Sequence, residues 1–303
     1  MVPARMPDSV PGDVAALQDG WARRGRLVPL SEGHRLFVLQ EGTGPDLVLV
    51  HGFPSTSHDF AAVLSGLARR FRVTVFDQLG FGLSDKPVDA SYSLLDQGRR
   101  AGELARALGI ERAHVVGHDM GLTVSVEMLC RHETRELGFE MAGLVLCNGS
   151  HLVELANITP LQKDLMTDEG AAHFAATYDP QRFAAMFRFV WADPARAPDV
   201  DVRAIAYWVR DSLPVIGKIA RYNIERARFA DRWRPILGRT AVPIHVVWGD
   251  RDPIAVTVIG ERLAELSGGP LTVLDGVGHY PQMEDPERWT AAVLRACIAA
   301  GSK

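Results

Sequence analysis

Residues 115–121 read VVGHDMG, and they decide the fold, because an apolar strand runs into G-x-D-x-G and a helical stretch follows at once. This pattern predicts a sharp strand-to-helix turn with Asp119 at its tip, where esterases carry a serine. Glycines are expected on either side because the backbone of such a turn passes close to its neighbours. The N-terminus of the following helix favours negative charge on Asp119. The sequence therefore predicts a nucleophilic carboxylate at a strand end.

Apolar stretches of strand length alternate with helix-period stretches along most of the chain. This alternation predicts the α/β class, with a doubly wound and mostly parallel sheet covered by helices. Uninterrupted apolar strands also favour burial on both faces. The predicted strands are 36–40, 46–50, 73–77, 113–117, 144–148, 244–249 and 271–275, and the covering helices lie near 59–69, 95–108, 121–132, 255–267 and 286–299.

Between about residues 150 and 238 the alternation stops, and the sequence becomes helical and rich in aromatic residues. Because this stretch lies between two core strands, we interpret it as an inserted helical cap. The predicted organisation is a first core part at 1–149, the cap at 150–238 and a second core part at 239–303. Most of the cap aromatics are expected to form the cap's own core, and the remainder to line a pocket.

Two residues that could work with Asp119 follow later strands. Asp252 lies in VWGDRDP directly after one strand, and His279 lies in GVGHY after the last one. The carboxyl ends of strands in open α/β sheets face the ligand crevice, so we expect the three side chains to meet. Asp250 competes with Asp252 for the acidic role, but Asp252, before Pro253, is favoured because it lies in the exposed turn.

The loop VHGFP at 50–54 also follows a strand and predicts a site for a developing oxyanion. The backbone N–H groups of Phe53 and Met120 are the expected donors, and two such donors stabilise an oxyanion by several kcal/mol. His118, beside the predicted nucleophile, is interpreted as a structural histidine beneath the turn and not as a second base.

Taken together, HGFP, FDQLGFGLSDKP (76–87), GHDMG, WGDRDP and GHYPQMEDP (278–286) resemble the epoxide hydrolase and haloalkane dehalogenase branch of the α/β-hydrolase superfamily. The resemblance covers most of the chain. Within that branch, LGFGLSDKP, LCNGS, RARFADRW and HYPQMEDP are similar to the mesoderm-specific transcript subgroup. This resemblance implies an α/β-hydrolase fold and a triad of Asp119, His279 and Asp252, in the chain order typical of the superfamily.

An aspartate nucleophile selects the kind of substrate. Attack on an ester carbonyl would give an anhydride more reactive than the ester, whereas displacement at an sp³ carbon gives a stable alkyl-enzyme ester. His279, kept basic by Asp252, would then activate water against that ester. The expected partners are a small electrophilic substrate and water. No metal or organic cofactor is expected, since no metal-ligand, P-loop or dinucleotide motif is found.

Epoxide opening is the first interpretation, and carbon–halogen hydrolysis is the second. Dehalogenases of this branch place Trp after the nucleophile and often Asn after H-G, whereas this chain has Met120 and Phe53. Epoxide hydrolases use cap tyrosines as acids. The candidates here are Tyr222, with Tyr178 or Tyr207 as its partner, although Tyr222 could equally be a packing residue. Ester or lactone hydrolysis and a non-catalytic binding protein remain further alternatives.

Composition excludes other classes of partner. Lys and Arg (33) are fewer than Asp and Glu (37), and no basic run stands out, so a nucleic-acid partner is not expected. Three separated cysteines, an N-terminus without an apolar signal and no stretch of about 18 apolar residues predict a cytoplasmic protein without a membrane span. The sequence leaves a homodimer open.

Overall fold

The computed structural model describes residues 9–301, in which eight strands form a single sheet. The strands are β1 (Arg26–Pro29), β2 (Arg35–Glu41), β3 (Asp46–Val50), β4 (Arg72–Phe76), β5 (Arg112–His118), β6 (Glu140–Cys147), β7 (Ile244–Gly249) and β8 (Leu271–Leu274). Their spatial order is β1-β2-β4-β3-β5-β6-β7-β8. Strand β2 pairs antiparallel with β1 and β4, and all other pairs are parallel. The predicted mostly parallel sheet is confirmed.

Helices cover both faces of the sheet because its strands are apolar on both sides. In β3, Val48 and Val50 join one core cluster, while Leu47 and Leu49 join the cluster on the opposite face. The helices are α1 (Gly12–Arg24), α2 (Ala61–Ala68), α3 (Leu94–Ala107), α4 (Met120–Glu133), α5 (Pro160–Leu165), α6 (Asp168–Thr177), α7 (Pro180–Phe187), α8 (Asp199–Ser212), α9 (Ile216–Ala220), α10 (Tyr222–Arg228), α11 (Ala230–Leu237), α12 (Thr257–Ser267), α13 (Pro281–Glu284) and α14 (Pro286–Gly301).

The chain between β6 and β7 forms helices only, from α5 to α11 with short 3₁₀ turns among them. Helices α7 and α8 share an apolar cluster with Ile254 and Tyr280, which lie in the loops after β7 and β8. Helix α11 packs on α4 and α12. The inserted helices therefore lie over the strand ends that carry the predicted site, and the exact limits of a cap domain remain a prediction.

Within residues 9–301, no helix combines the length and the apolar character that a membrane crossing requires. Residues 1–8, on which part of the argument against a signal sequence depends, lie outside the described part of the chain.

Candidate active site

Asp119 occupies the sharp turn between β5 and α4. Its φ angle is +49°, a backbone region that costs a non-glycine residue about 1–3 kcal/mol unless its surroundings hold it there. Gly121 shows how closely the turn packs, because a Cβ atom at that position would lie 2.2 Å from the carbonyl oxygen of Val50. The side chain of Asp119 is thus presented from a strained turn that leaves no room for adjustment.

The loop after β3 supplies a hydrogen bond to the Asp119 carboxylate. The backbone N–H of Phe53 donates to Oδ2 of Asp119 over 2.8 Å, and the Phe53–Pro54 peptide bond is cis. Met120, the second expected donor, is the first residue of α4. Of the two expected oxyanion donors, Phe53 is the one whose N–H forms a hydrogen bond with the Asp119 carboxylate in the described part of the chain. The two predicted donors therefore lie in the loop after β3 and at the start of α4.

His279 and Asp252 are brought together by the loops after β8 and β7. Nδ1 of His279 lies 2.7 Å from Oδ2 of Asp252, and both residues are buried. Oδ1 of Asp252 accepts the backbone N–H groups of Ile254 and Ala255 at 2.8 and 2.9 Å. These bonds fix the orientation of the carboxylate. Because Nδ1 of His279 is engaged by Asp252, Nε2 is the nitrogen left to meet water.

Asp250, the competing acid, contacts a different part of the loop. Its Oδ1 accepts the backbone N–H of Gly276 at 2.6 Å, and its other oxygen lies 3.9 Å from Arg251. Its side chain therefore supports the turn before His279, while Asp252 contacts the imidazole. Asp252 is buried and does not lie in an exposed turn as the sequence argument assumed, and its choice over Asp250 as the acid remains a prediction.

The electrostatic environment makes His279 a strong base. Burial lowers the pKa of His279, but the charge of Asp252, the hydrogen bond to it and the charge of Asp119 together raise that pKa from 6.5 to about 9. His118 behaves in the opposite way, because burial lowers its pKa to about 4. Its Nε2 lies 2.7 Å from the carbonyl oxygen of His279. His118 is thus a neutral support beneath the His279 loop.

Asp119 and His279 line the same cleft beneath the inserted helices. Most of the other lining residues are apolar, and Thr159 and Gln162 provide the remaining polar side chains. The apolar lining comprises Phe53, Pro54, Leu161, Leu165, Phe174, Phe183, Met186, Phe187, Phe189, Val190, Val209, Ile216 and Ile254. Such a cleft suits a small apolar molecule, with the ionisable groups concentrated at Asp119 and His279.

The three cap tyrosines occupy different places. Tyr222 is buried beside Phe53, with 5.4 Å between ring centroids, and its hydroxyl accepts a hydrogen bond from Gln162 over 3.0 Å. The hydroxyl of Tyr178 instead donates to the carbonyl of Ala206 at 2.7 Å. Tyr207 belongs to the core cluster on the α1 and α2 side of the sheet. Tyr222 thus contacts the cleft lining through Phe53 and Gln162, whereas the ring of Tyr178 contacts two other lining residues, Phe174 and Phe183.

Asp252 and Asp119 are each contacted by a buried side chain that the sequence analysis did not single out. Nδ2 of Asn148 donates to Oδ2 of Asp252 at 2.9 Å, and Nη2 of Arg226 donates to the carbonyl oxygen of Asp119 at 3.0 Å. Both lie in motifs quoted for the resemblance, LCNGS and RARFADRW. The strand-end position of Asn148 was the available signal. Arg226 had no comparable signal, because it lies in a helix with several charged residues.

Comparison with known proteins now defines the class. Residues 45–286 match the family model described as alpha/beta hydrolase fold, and the chain belongs to this family. It is 34% identical to the hydrolase LipZ of Mycobacterium tuberculosis, over 92% of this chain and 97% of that protein.

More specific relatives support the branch indicated by the sequence motifs. The chain is 31% identical to the mesoderm-specific transcript protein of Mus musculus, over 91% of this chain and 86% of the relative. It is 26% identical to haloalkane dehalogenase 2 of Mycobacterium tuberculosis, over 86% and 90% of the two chains. The protein is thus a hydrolase of the α/β-hydrolase superfamily, and the predicted resemblance is confirmed.

Proposed function

We propose that this hydrolase opens epoxides to diols through a covalent ester on Asp119. The observation that carries the proposal is a carboxylate on the strained turn, held by the Phe53 N–H at 2.8 Å, in the same apolar cleft as an Asp252-bound His279. A carboxylate at this position displaces a leaving group from sp³ carbon, and the resulting ester is cleaved by activated water. Substrate and water are the only reactants required.

In the first step, an oxygen of Asp119 attacks a ring carbon and the ring C–O bond breaks. The alkoxide formed in this step needs a proton. Tyr222 supplies it in this proposal, because burial and the nearby charge of Asp119 raise the pKa of Tyr222 above its ordinary value and keep the phenol protonated. Its hydroxyl oxygen accepts from Gln162, so its own proton remains available. The product is a hydroxyalkyl ester of Asp119.

In the second step, His279 takes a proton from water, and the hydroxide attacks the ester carbonyl carbon of Asp119. The negative charge then develops on an oxygen beside the N–H groups of Phe53 and Met120, which act as the oxyanion site. The acyl C–O bond breaks, and the leaving alkoxide oxygen takes the proton held by His279. The other proton of the attacking water passes back to the Tyr222 phenolate, so that Asp119 ends as a carboxylate. Asp252 orients the imidazole and stabilises its charge throughout.

Haloalkane hydrolysis is the second candidate, because a haloalkane dehalogenase is among the relatives. A departing halide requires a pair of desolvated N–H donors. Among the described residues that line the cleft, none is Trp or Asn, and Gln162 already donates to Tyr222. Epoxide opening is favoured for this reason. Ester or lactone hydrolysis and a non-catalytic binding role remain lesser alternatives, which the same substrate panel separates.

The test is covalent trapping with a panel of epoxides, haloalkanes and aryl esters, read by peptide mass spectrometry. His279→Gln should retain the added mass of an epoxide on Asp119, because the ester forms but water is not activated. Asp119→Asn should show no added mass. Wild-type enzyme turning over repeatedly in ¹⁸O-water should carry the label in the Asp119 carboxylate. Label in the diol alone, or faster halide release than epoxide opening, would overturn the proposal.

A further inference from the structure

Arg226 is a buried cation at the nucleophilic turn, although it comes from helix α10 of the inserted segment. Its relative exposure is 1%. Nη2 donates to the backbone carbonyl of Asp119, Nε to Oγ1 of Thr123 and Nη1 to Oδ1 of Asn223, each at 3.0 Å. Thr123 lies in the first turn of α4. The guanidinium therefore ties the turn and the helix behind it to the inserted segment.

The charge of Arg226 is placed beside the Asp119 carboxylate. Nη2 lies 3.8 Å from Oδ1 of Asp119, the oxygen that the Phe53 N–H does not contact. Burying a cation is costly unless an anion pairs with it. Burial lowers the pKa of Arg226, and the charge of Asp119 opposes that effect, so the guanidinium stays cationic. Asp119 is the carboxylate with which the described structure pairs it.

We propose that Arg226 is a positioning residue that keeps the buried Asp119 carboxylate ionised and holds its strained turn. This inference rests on the proposed function, in which Asp119 must be an anion to attack carbon. It explains why an arginine from the inserted segment reaches beneath the turn. It also makes the reactivity of the core nucleophile depend on the inserted helices.

Other ionisable groups act on Asp119 and must be considered with Arg226. The imidazole of His279 shares its cleft, and Phe53 supplies an uncharged donor. The further ionisable groups that interact electrostatically with Asp119 are His51, Asp59, His118, Tyr222 and Tyr280. Burial lowers the pKa of His51 and raises that of Asp59, which favours their neutral forms. Arg226 and His279 therefore supply the cationic charge near the nucleophile.

The direct test is ¹³C NMR titration of the aspartate carboxyl groups in the substrate-free protein, with the Asp119 resonance assigned by its loss in Asp119→Asn. In Arg226→Met, the titration midpoint of Asp119 should move toward neutral pH, because losing a nearby opposite charge disfavours the ionised carboxylate. Arg226→Lys keeps the charge and should leave the midpoint near the wild-type value. The acid limb of single-turnover alkylation should move with the NMR midpoint.

Two further variants separate charge from folding. Arg100→Met removes another buried arginine, which contacts Glu32 and the carbonyl of Ser91, and it should leave the Asp119 midpoint unchanged. Asn223→Asp is nearly isosteric and places an anion on Nη1 of Arg226, so it should shift the midpoint in the same direction as Arg226→Met, even where Arg226→Met fails to fold.

An unchanged Asp119 midpoint in folded Arg226→Met, or in Asn223→Asp when Arg226→Met does not fold, would overturn the role of Arg226. A wild-type protein whose Asp119 is never alkylated would instead contradict the proposed function. The substrate-free NMR titration would still decide whether Arg226 keeps the carboxylate ionised. The two failures are therefore distinguishable.

Discussion

The contact between His279 and Asp252 makes stability depend on pH in a predictable way. The pKa of His279 is raised from 6.5 to about 9 in the folded protein, chiefly by Asp252 acting against burial. A group whose pKa is higher in the folded than in the unfolded state stabilises the fold fully below its unfolded pKa. That stabilisation is lost as pH rises through the folded pKa. Here the loss falls between pH 6.5 and about 9.

The size of this effect follows from the same two values. The difference between 6.5 and about 9 corresponds to about 3 kcal/mol of unfolding free energy, at 1.36 kcal/mol for each pH unit. His279 is only 3% exposed, so solvent screening does not reduce the figure greatly. Wild-type protein should therefore lose roughly this amount through His279 between pH 6.5 and pH 9.

Asp252→Asn should remove most of this pH dependence. Without the Asp252 charge, burial lowers the pKa of His279, and the charges of Asp119 and Glu284 oppose that effect. Guanidinium unfolding at pH 6.5, 7.5 and 9, together with NMR titration of the imidazole, measures both quantities. Asp250→Asn is the matched control, because Asp250 bonds Gly276 and does not contact the ring. If folded Asp252→Asn shows the wild-type slope between these pH values, the electrostatic reasoning is refuted.

Two further substitutions test the turn and the acid. Gly121→Ala should abolish folding or destabilise the protein by several kcal/mol, because the new Cβ would lie 2.2 and 2.4 Å from two backbone carbonyl oxygens. The control is Gly20→Ala, whose new Cβ lies in open space within α1. It should stabilise the protein by about 0.5–1 kcal/mol in thermal unfolding. Tyr222→Phe should slow alkylation of Asp119 by an epoxide about 10²–10⁴-fold and leave aryl ester turnover nearly unchanged. Tyr178→Phe is the control, and it should affect stability alone, because the Tyr178 hydroxyl bonds the carbonyl of Ala206. Equal alkylation rates in Tyr222→Phe and wild type would contradict the role of Tyr222 as the acid.

Local sequence patterns were sufficient to predict seven of the eight strands of the sheet. Five of these strands contain continuous apolar runs, which indicate burial on both faces, whereas β8 is partly exposed. Strand β1 was missed because it is a four-residue edge strand, three of whose side chains are exposed. A short edge strand needs only one partner, so its sequence carries neither alternation nor a long apolar run.

The candidate site also contains some residues whose positions could be predicted from the sequence and others whose positions could not. Asp119, Asp252 and His279 follow strand ends, and parallel strands bring those ends to one edge of the sheet. Their meeting could therefore be anticipated from chain order. The positions of Tyr178 and Tyr222 depend on how short helices pack across one another, which no local period encodes. Sequence could name both tyrosines but could not tell which hydroxyl bonds a residue that lines the cleft.

The charge on Asp119 also orders the two steps of the proposed reaction. That charge is one reason why the pKa of His279 reaches about 9, so His279 is protonated in the free enzyme at neutral pH and cannot yet act as a base. Once Asp119 becomes an ester, its negative charge is gone, and the pKa of His279 must fall. A lower pKa favours the neutral imidazole, which is the form that can accept a proton from water. Ester formation thus moves His279 toward the form that ester hydrolysis requires.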